Sequence, residues 1–332
     1  MNEAQGWVQA LAAQCESALD ELQRFAPWLK RPALDETLAQ LPVLTPIPTL
    51  AELANLMPVL MPEVERLRES ASTVAQRDHL DEVVRLGEAA SREARERIAA
   101  IGAIASQCET LAHMGFNFLY DAARHLFAVG YNVDERKRDP SYYDLLASEA
   151  RLSSFVAIAQ GQVPQESWFA LGRLLTSAGD RSILLSWSGS MFEYLMPLLV
   201  MPTYENTLLD ETCRAAVERQ IAYGRQLGVP WGMSESGYNT VDASLNYQYR
   251  AFGVPGLGLK RGLADDIVIA PYASALALMV APEAACHNLQ RLAADGLVGR
   301  FGLFEAIDYT PARIPRGQAS AIVRSFMAHH RA

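Results

Sequence analysis

Residues 141–161 read SYYDLLASEARLSSFVAIAQG, and the period of their apolar positions decides what kind of fold the larger part of the chain builds. Ser141 followed by Asp144 has the spacing of a helix start, a capping side chain with an acid at the third position. In that phase Leu145, Glu149, Leu152 and Val156 fall on one stripe, because steps of four, three and four residues return to the same helix face. The spacing predicts a helix over about 141–160. Glu149 then points inward between leucines, where an isolated carboxylate is costly. It is satisfied either by an arginine of a neighbouring helix or by a pocket that keeps its proton on.

Similar patterns recur at roughly 165–178, 190–200, 208–227, 241–251, 269–279, 282–294 and 316–330, separated by Gly- or Pro-marked turns. Strand-like alternation is scarce, and RSILLSWSG from Arg181 is its best example. The expected class is all-α, built from antiparallel helix pairs with functional loops at their ends. Upstream, residues 3–25 carry a helical pattern, after which Pro27, Pro32, Pro42, Pro46, Pro48, Pro58 and Pro62 punctuate the chain. From Glu63 to about Leu111 there is no Pro, and REARERIAA carries opposite charges at i,i+4 spacing, so one long helix is expected. The texture changes near Met114, dividing the chain into an N-terminal helical segment, 1–113, and a domain, 114–332.

The 332 residues are 50% hydrophobic and 20% charged, a globular composition. A net charge of −9, with 29 basic against 38 acidic residues, argues against a nucleic-acid surface and for a neutral or small-molecule ligand. Cys15, Cys108, Cys213 and Cys286 are scattered without ligand spacing and read as thiols in a reducing compartment. No signal-peptide pattern and no run of 18 apolar residues is found; the apolar stretch around 267–282 is interrupted by Pro271 and Pro282, so this piece is not expected to be membrane-embedded. GxSxG, P-loop and DDxxD patterns are missing, and FGVPGLGLKRG reads as a shaped turn. His79, His113, His125 and His287 are isolated, and the terminal pair His329 and His330 lacks a third ligand. Neither a metal nor a cofactor is expected.

Acids flanked by aromatics are the informative remainder. In WGMSESGYN, residues 231–239, Gly232 and Gly237 bracket Glu235 while Trp231 and Tyr238 flank it, ahead of the helix expected from Asn239 or Thr240. Glu235 is either a solvated loop acid or a group held for chemistry on a loop carried by a rigid scaffold. In WSGSMFEYLMP, residues 187–197, Ser190 and Glu193 have capping-box spacing, and Trp187 and Tyr194 would make the helix mouth a sugar platform. GLFEAIDYTP places Glu305 and Asp308 at i,i+3 beside Phe304 and Tyr309. Together with the Glu149 helix, these sites suggest a polyhydroxylated ligand.

These segments, with YNVDERKRDPSYYDLLASEARLSSFVAIAQGQVP, NYQYRAFGVPGLGLKRGL and APYASALALM, resemble the glycoamylase-like middle domain of cyclic β-1,2-glucan synthases from about Met114 onward. The resemblance implies an (α/α)6 toroid preceded by a helical segment, and a retaining transglycosylation that closes a β-1,2-glucan chain into a ring. It further implies Glu235 as nucleophile and Glu149 as acid/base acting through a substrate hydroxyl, with Glu193 and Glu305 in reserve. Tyr142, Tyr143, Asp144, Trp187, Glu193, Tyr194, Trp231, Tyr238, Glu305 and Asp308 would line glucose subsites. The setting implied is the cytoplasmic side of the inner membrane, in a larger synthase with glycosyltransferase and phosphorylase-like modules. The family pattern continues past SFMAHH, whereas this chain ends at MAHHRA, so a C-terminally incomplete toroid is expected. An inverting β-1,2-glucanase and a noncatalytic glucan-binding fragment remain as alternatives.

Overall fold

The computed structural model describes residues 3–44, 48–178 and 181–326, apart from the side chains of residues 3, 35, 148, 149 and 178. It divides into two compact units, Met1–Met114 and Gly115–Ala332.

The first unit is helical: α1 (Glu3–Phe25), a short α2 (Asp35–Leu38) between 3-10 turns, α3 (Leu50–Ala54), α4 (Leu56–Ser70) and α5 (Val74–Ala112). Its core sets Leu53, Leu56, Leu60 and Val64 against the α5 stripe Leu80, Val83, Leu86, Ala90 and Ala94, with Trp28, Leu34 and Leu41 closing it. The single helix expected from Glu63 is two helices. Ala71 is extended, and Thr73 caps α5 in a reciprocal box with Gln76. The Ser-Ala-Ser-Thr run supplies hydroxyls that favour a cap over a continuing helix. In the other direction, α4 begins before the expected point and runs through Pro62, which costs it one backbone hydrogen bond.

The second unit opens with the hairpins β1 (Tyr120–Asp121) with β2 (Leu126–Phe127), and β3 (Tyr131–Asn132) with β4 (Lys137–Arg138). Then come α6 (Ser148–Ala159), α7 (Glu166–Ala170), the hairpin β5 (Leu175–Ala178) with β6 (Arg181–Leu184), α8 (Met191–Leu195) and α9 (Leu208–Leu227). The hairpin β7 (Ser236–Val241) with β8 (Tyr247–Arg250), β9 (Val268–Ile269), α10 (Pro271–Ala277) and α11 (Pro282–Leu292) follow. The unit continues with β10 (Val298–Gly299), β11 (Gly302–Leu303), β12 (Ala306–Asp308) and β13 (Ala321–Val323). Strands β13, β12 and β9 form one antiparallel sheet in that order. The core gathers Leu145 and Leu146, Ile183 and Leu184, Met191, Tyr194 and Leu195, Ala216 and Val217 of α9, and Trp231, Leu257, Ala273, Ala277, Leu292 and Ile307.

Helices α8, α9, α10 and α11 stand where periodicity put them, and the Arg181 segment is the expected strand. Four expectations need correction, and with them the all-α class, since short sheets join the helices. Ser141 does not start a helix: Tyr142 bridges Ala128 and Asp144 bridges Gly172, and the Asp144 carboxylate accepts from Leu146 N and Ala147 N at 2.9 and 3.0 Å, so the helix begins at Ser148. The 165–178 pattern stops at Ala170 because Leu171 is extended and 175–178 pairs with β6. Residues 241–251 form a hairpin. Asp242 accepts from Ser244 N and Asn246 N, both at 2.9 Å, Leu245 takes φ 64°, and the aromatics of NYQYR suit a strand. The 316–330 pattern gives the strand β13, while residues 327–332, including His329 and His330, lie outside the described residues.

The Gly-rich turn is a backbone-to-backbone fit. Residues 253–260 run beside 186–189 through Ser186 N to Leu257 O (3.0 Å), Val254 N to Gly189 O (3.2 Å), Leu259 N to Ser186 O (3.0 Å) and Lys260 N to Trp187 O (2.9 Å). A Cβ on Gly253 would drive into the Ser188 carbonyl oxygen, and one on Gly258 would lie 2.5 Å from Gly189 N. Neither strand of backbone can retreat without breaking this ladder. Gly253→Ala is therefore expected to cost about 3 kcal/mol or more, read as a lowered melting temperature in thermal denaturation.

Candidate active site

A cleft of about 510 Å³ opens between the start of α6, the mouth of α8 and the turn before β7. Val129, Ser141, Tyr142, Tyr143, Asp144, Ala147, Trp187, Phe192, Glu193 and Glu235 line it. Among the described residues no Lys or Arg lines the cleft. Three carboxyl groups and four large aromatic side chains, with no Lys or Arg among the described lining residues, suit a neutral hydroxylated ligand better than an anion.

Glu235 owes its place to two side-chain amides. The preceding residues 231–234 are buried yet make little ladder structure, one bridge from Met233 to Ile269 excepted. Gln220 of α9 clamps Met233 on both sides, donating Nε2 to its carbonyl at 2.8 Å and accepting its N–H at 2.9 Å. Asn288 of α11 does the same for Trp231, accepting its N–H at 3.2 Å and donating to its carbonyl at 2.7 Å, with a further donation to Ser274 Oγ at 2.8 Å. Gly232 takes φ 117° between them, where a Cβ would meet Ala270 O at 3.3 Å, a position only glycine fills without strain. The Ser234 hydroxyl accepts from Phe192 N at 3.0 Å and shares a hydrogen bond with the Tyr272 hydroxyl at 2.6 Å. Sequence reasoning missed Gln220 and Asn288. Their signal was an amide side chain on the apolar face of a periodic helix.

Glu193 is a capping residue and a cleft wall at once. Ser190 caps α8 in the expected box, and the alternating serines of SWSGS aim three hydroxyls at the same carboxylate. Ser186, Ser188 and Ser190 donate Oγ–H at 2.9, 2.5 and 3.0 Å, and the backbone N–H groups of Ser188 and Ser190 donate at 3.0 and 3.1 Å. So many donors fix the carboxylate as an oriented acceptor. Asp144 is different. Burial pushes its carboxyl above the usual carboxylate range and the Glu193 charge adds to this, against the two backbone N–H donors that lower it.

The structure brings together Tyr142, Tyr143, Asp144, Trp187, Glu193 and Glu235. Trp187 is 67% exposed, an open aromatic face at the mouth. The Tyr142 hydroxyl donates to Asp121 at 2.7 Å, which fixes the ring under the Arg124 guanidinium. Glu149 falls on the first turn of α6, two residues after Ala147, and its side chain lies outside the described residues.

Other expected subsite residues are placed elsewhere. Tyr194 is 0% exposed, its hydroxyl donating to the carbonyls of Leu184 and Leu257 at 3.0 and 2.6 Å, so it is a core residue and no sugar platform. Trp231 is buried in the same core. Tyr238 packs edge-on to Phe252 beneath the guanidinium groups of Arg250 and Arg313. Asp308 is fully buried, paired with Arg313 at 2.7 Å and accepting from Asn239 N at 3.1 Å and Thr310 N at 2.9 Å. Glu305 lines a separate cavity of about 430 Å³ with Tyr272, Phe301, Phe304 and Phe326. The i,i+3 reading fails for Glu305 and Asp308 because no helix forms there: Glu305 sits in a bend ahead of β12 and Asp308 ends that strand. Among the described residues no group of three or more His, Cys, Asp or Glu side chains could hold a metal ion, and no helix is long and apolar enough to cross a membrane.

The family model described as "Putative glucoamylase" matches residues 141–332. The cyclic beta-(1,2)-glucan synthase NdvB of Rhizobium meliloti (strain 1021) is 52% identical over 217 residues, covering 65% of this chain and 8% of that protein. The chain thus spans less than a tenth of this curated relative. Among solved structures, a glucoamylase of the same description from Bacteroides caccae aligns over 80% of this chain and 61% of its own, with a TM-score of 0.45 and 13% identity. A mutant endo-beta-1,2-glucanase from Talaromyces funiculosus in complex with beta-1,2-glucan aligns over 83% and 54%, with a TM-score of 0.46 and 13% identity.

Asp144 gives a test of the cleft's electrostatics. With its folded pKa raised, the native state holds more protons than the unfolded chain in the window just above the ordinary carboxylate value of 3.8, so this group's contribution falls as pH rises through that window. Asp144→Asn keeps an oxygen for the Leu146 and Ala147 amides and removes the charge. Its melting temperature is expected to exceed that of the wild type at neutral pH, with the gap closing as pH falls toward 3.8. A gap that stays constant in thermal denaturation across that range would remove the electrostatic origin.

Proposed function

The chain belongs to the glycoamylase family, and from that premise we propose that it carries a retaining β-1,2-glucan transglycosylase, the cyclising unit of a larger membrane-bound glucan synthase. In this reading residues 114–332 contribute to an (α/α)6 toroid and residues 1–113 are the helical segment that precedes it.

The observation that carries the reading is Glu235, held by the amide clamps and facing, beside Tyr142, Tyr143 and Trp187, a cleft lined by no Lys or Arg among the described residues. One Glu235 oxygen attacks the anomeric carbon of a glucosyl unit, forming a glycosyl-enzyme ester as the glycosidic bond breaks. Glu149 gives its proton to the leaving oxygen through a hydroxyl of the substrate. It then takes one back from the hydroxyl of the chain's own nonreducing end as that oxygen displaces Glu235, so the ring closes with the anomeric configuration retained. Glu193 and Asp144 hold glucose hydroxyls, the first as a fixed acceptor and the second as a carboxyl with a raised pKa, able to donate when protonated. Tyr143 and Trp187 offer faces for the sugar C–H surfaces. The 52% identity to the Rhizobium meliloti synthase supports β-1,2-glucan as the substrate.

Incubation with linear β-1,2-glucan followed by mass spectrometry of the products tests this. Wild type is expected to release cyclic glucans. Glu235→Gln is expected to lower kcat by about 10⁴-fold or more with the fold retained, and Glu149→Gln by a comparable factor. Linear products with inverted anomers would move the assignment to an inverting glucanase. Binding of glucan with equal inactivity of wild type and Glu235→Gln would move it to a binding role.

A further inference from the structure

Resting on that reading of Glu235, we propose that Tyr249 is its positioning residue, a hydrogen-bond donor placed by the register of the β7–β8 hairpin to hold the carboxylate in its attacking orientation. Glu235 stands in the bend one residue ahead of β7 and two from Gly237. Gly237 is the cross-strand partner of Tyr249. That register brings the phenol beside the bend that carries Glu235, and the two side chains are hydrogen bonded.

Two further features keep this contact in place. Position 237 carries no side chain, and a Cβ there would come within 3.2 Å of Glu305 Cγ and 3.4 Å of Val323 Cγ1. The face is thus left to Tyr249 and to Glu305, whose Oε1 accepts the Gly237 N–H at 2.9 Å. The titratable groups facing Tyr249 are Glu235 from the turn, Glu305 ahead of β12 and Tyr272 of α10. Arg250, the next residue along β8, is paired with Asp266. Burial raises the Tyr249 phenol far above its ordinary range, and the charges of Glu235 and then Glu305 raise it further. Tyr249 therefore stays protonated and can only donate to the Glu235 carboxylate. Glu305, expected to line the sugar cleft, takes a role behind it instead.

A donated hydrogen bond stabilises the ionised carboxylate, the form that attacks, so removing the donor raises the carboxyl pKa and releases the side chain. Tyr249→Phe keeps the ring and removes the hydroxyl. On linear β-1,2-glucan it is expected to lower kcat by about 10- to 100-fold with KM within about threefold. The acidic limb of kcat/KM should move up by about one pH unit. The carbon-13 titration of the Glu235 carboxyl, assigned with Glu235→Gln, is expected to move up alongside. Incorporation of difluorotyrosine at position 249, a more acidic and stronger donor, is expected to move the same midpoint down. Unchanged midpoints in both substituted proteins, with kcat within about twofold, would overturn the proposal. A chain inert on glucan whose Glu235 midpoint still shifts supports the contact and overturns the reaction, which separates the two failures.

Discussion

The site depends on two amides that do for an irregular segment what a ladder does for a strand. Residues 231–234 cross the core between α9 and α11, and buried backbone groups there need partners. Gln220 and Asn288, 1% and 5% exposed, each bind both the N–H and the C=O of a single residue. The Met233 carbonyl also accepts from Met191 N at 3.1 Å, so an apolar side chain at position 220 orphans the Met233 N–H, and one at position 288 removes the amide partners of both Trp231 groups, about 1–3 kcal/mol for each group left unsatisfied. The reward is positional. In the proposed reaction a carboxylate that must approach a sugar carbon along one line gains from a backbone fixed two and four residues ahead of it.

The cleft acids divide by environment. Glu193 is surrounded by serine hydroxyls and backbone N–H groups, so its charge is met inside the protein before any ligand arrives. Asp144 has two backbone donors on one oxygen, and these fall short of the penalty of burial next to the Glu193 charge. Neighbouring carboxyl groups in such unlike surroundings can contact unlike hydroxyls, the first as a fixed acceptor and the second as a donor whenever it is protonated. This asymmetry rests on the sequence SWSGS, whose alternate serines reach one carboxylate as the chain bends at Trp187 and Ser188, turns through Gly189 at φ 70° and becomes helical after Ser190.

Much of this was legible in the residues. Helices α9 and α11 were readable because their apolar stripes are long and their ends marked, by Thr207 and Gly228 for α9 and by Pro282 for α11. The Ser190 and Glu193 box was readable because a cap is a local interaction between residues three apart. The hairpin over 236–250 was hidden because its cause is tertiary: β7 packs on β12 and β13, and Tyr247 and Tyr249 satisfy a strand pattern and a short helical one about equally. The start of α6 was misplaced because an Asp that accepts from residues two and three ahead is consistent both with a helix cap and with the turn that precedes one.

Adjacency of an acid and an aromatic turned out to be a weaker signal than its direction. Trp187 and Tyr194 flank the same helix mouth, yet one is open to the cleft and the other is locked on two carbonyls in the core. Their difference lies in the backbone: Trp187 belongs to the bend hydrogen bonded to the Gly-rich turn, and Tyr194 to the inward face of α8. Glu305 and Asp308 part in the same manner, one lining a cavity from the bend ahead of β12, the other buried at the end of that strand. Composition thus names the kinds of side chain a sugar site needs, while strand register selects which of them arrive. The pairing of Tyr249 with Gly237 belongs to the second category, being fixed by a hairpin whose register no spacing of acids and aromatics contains.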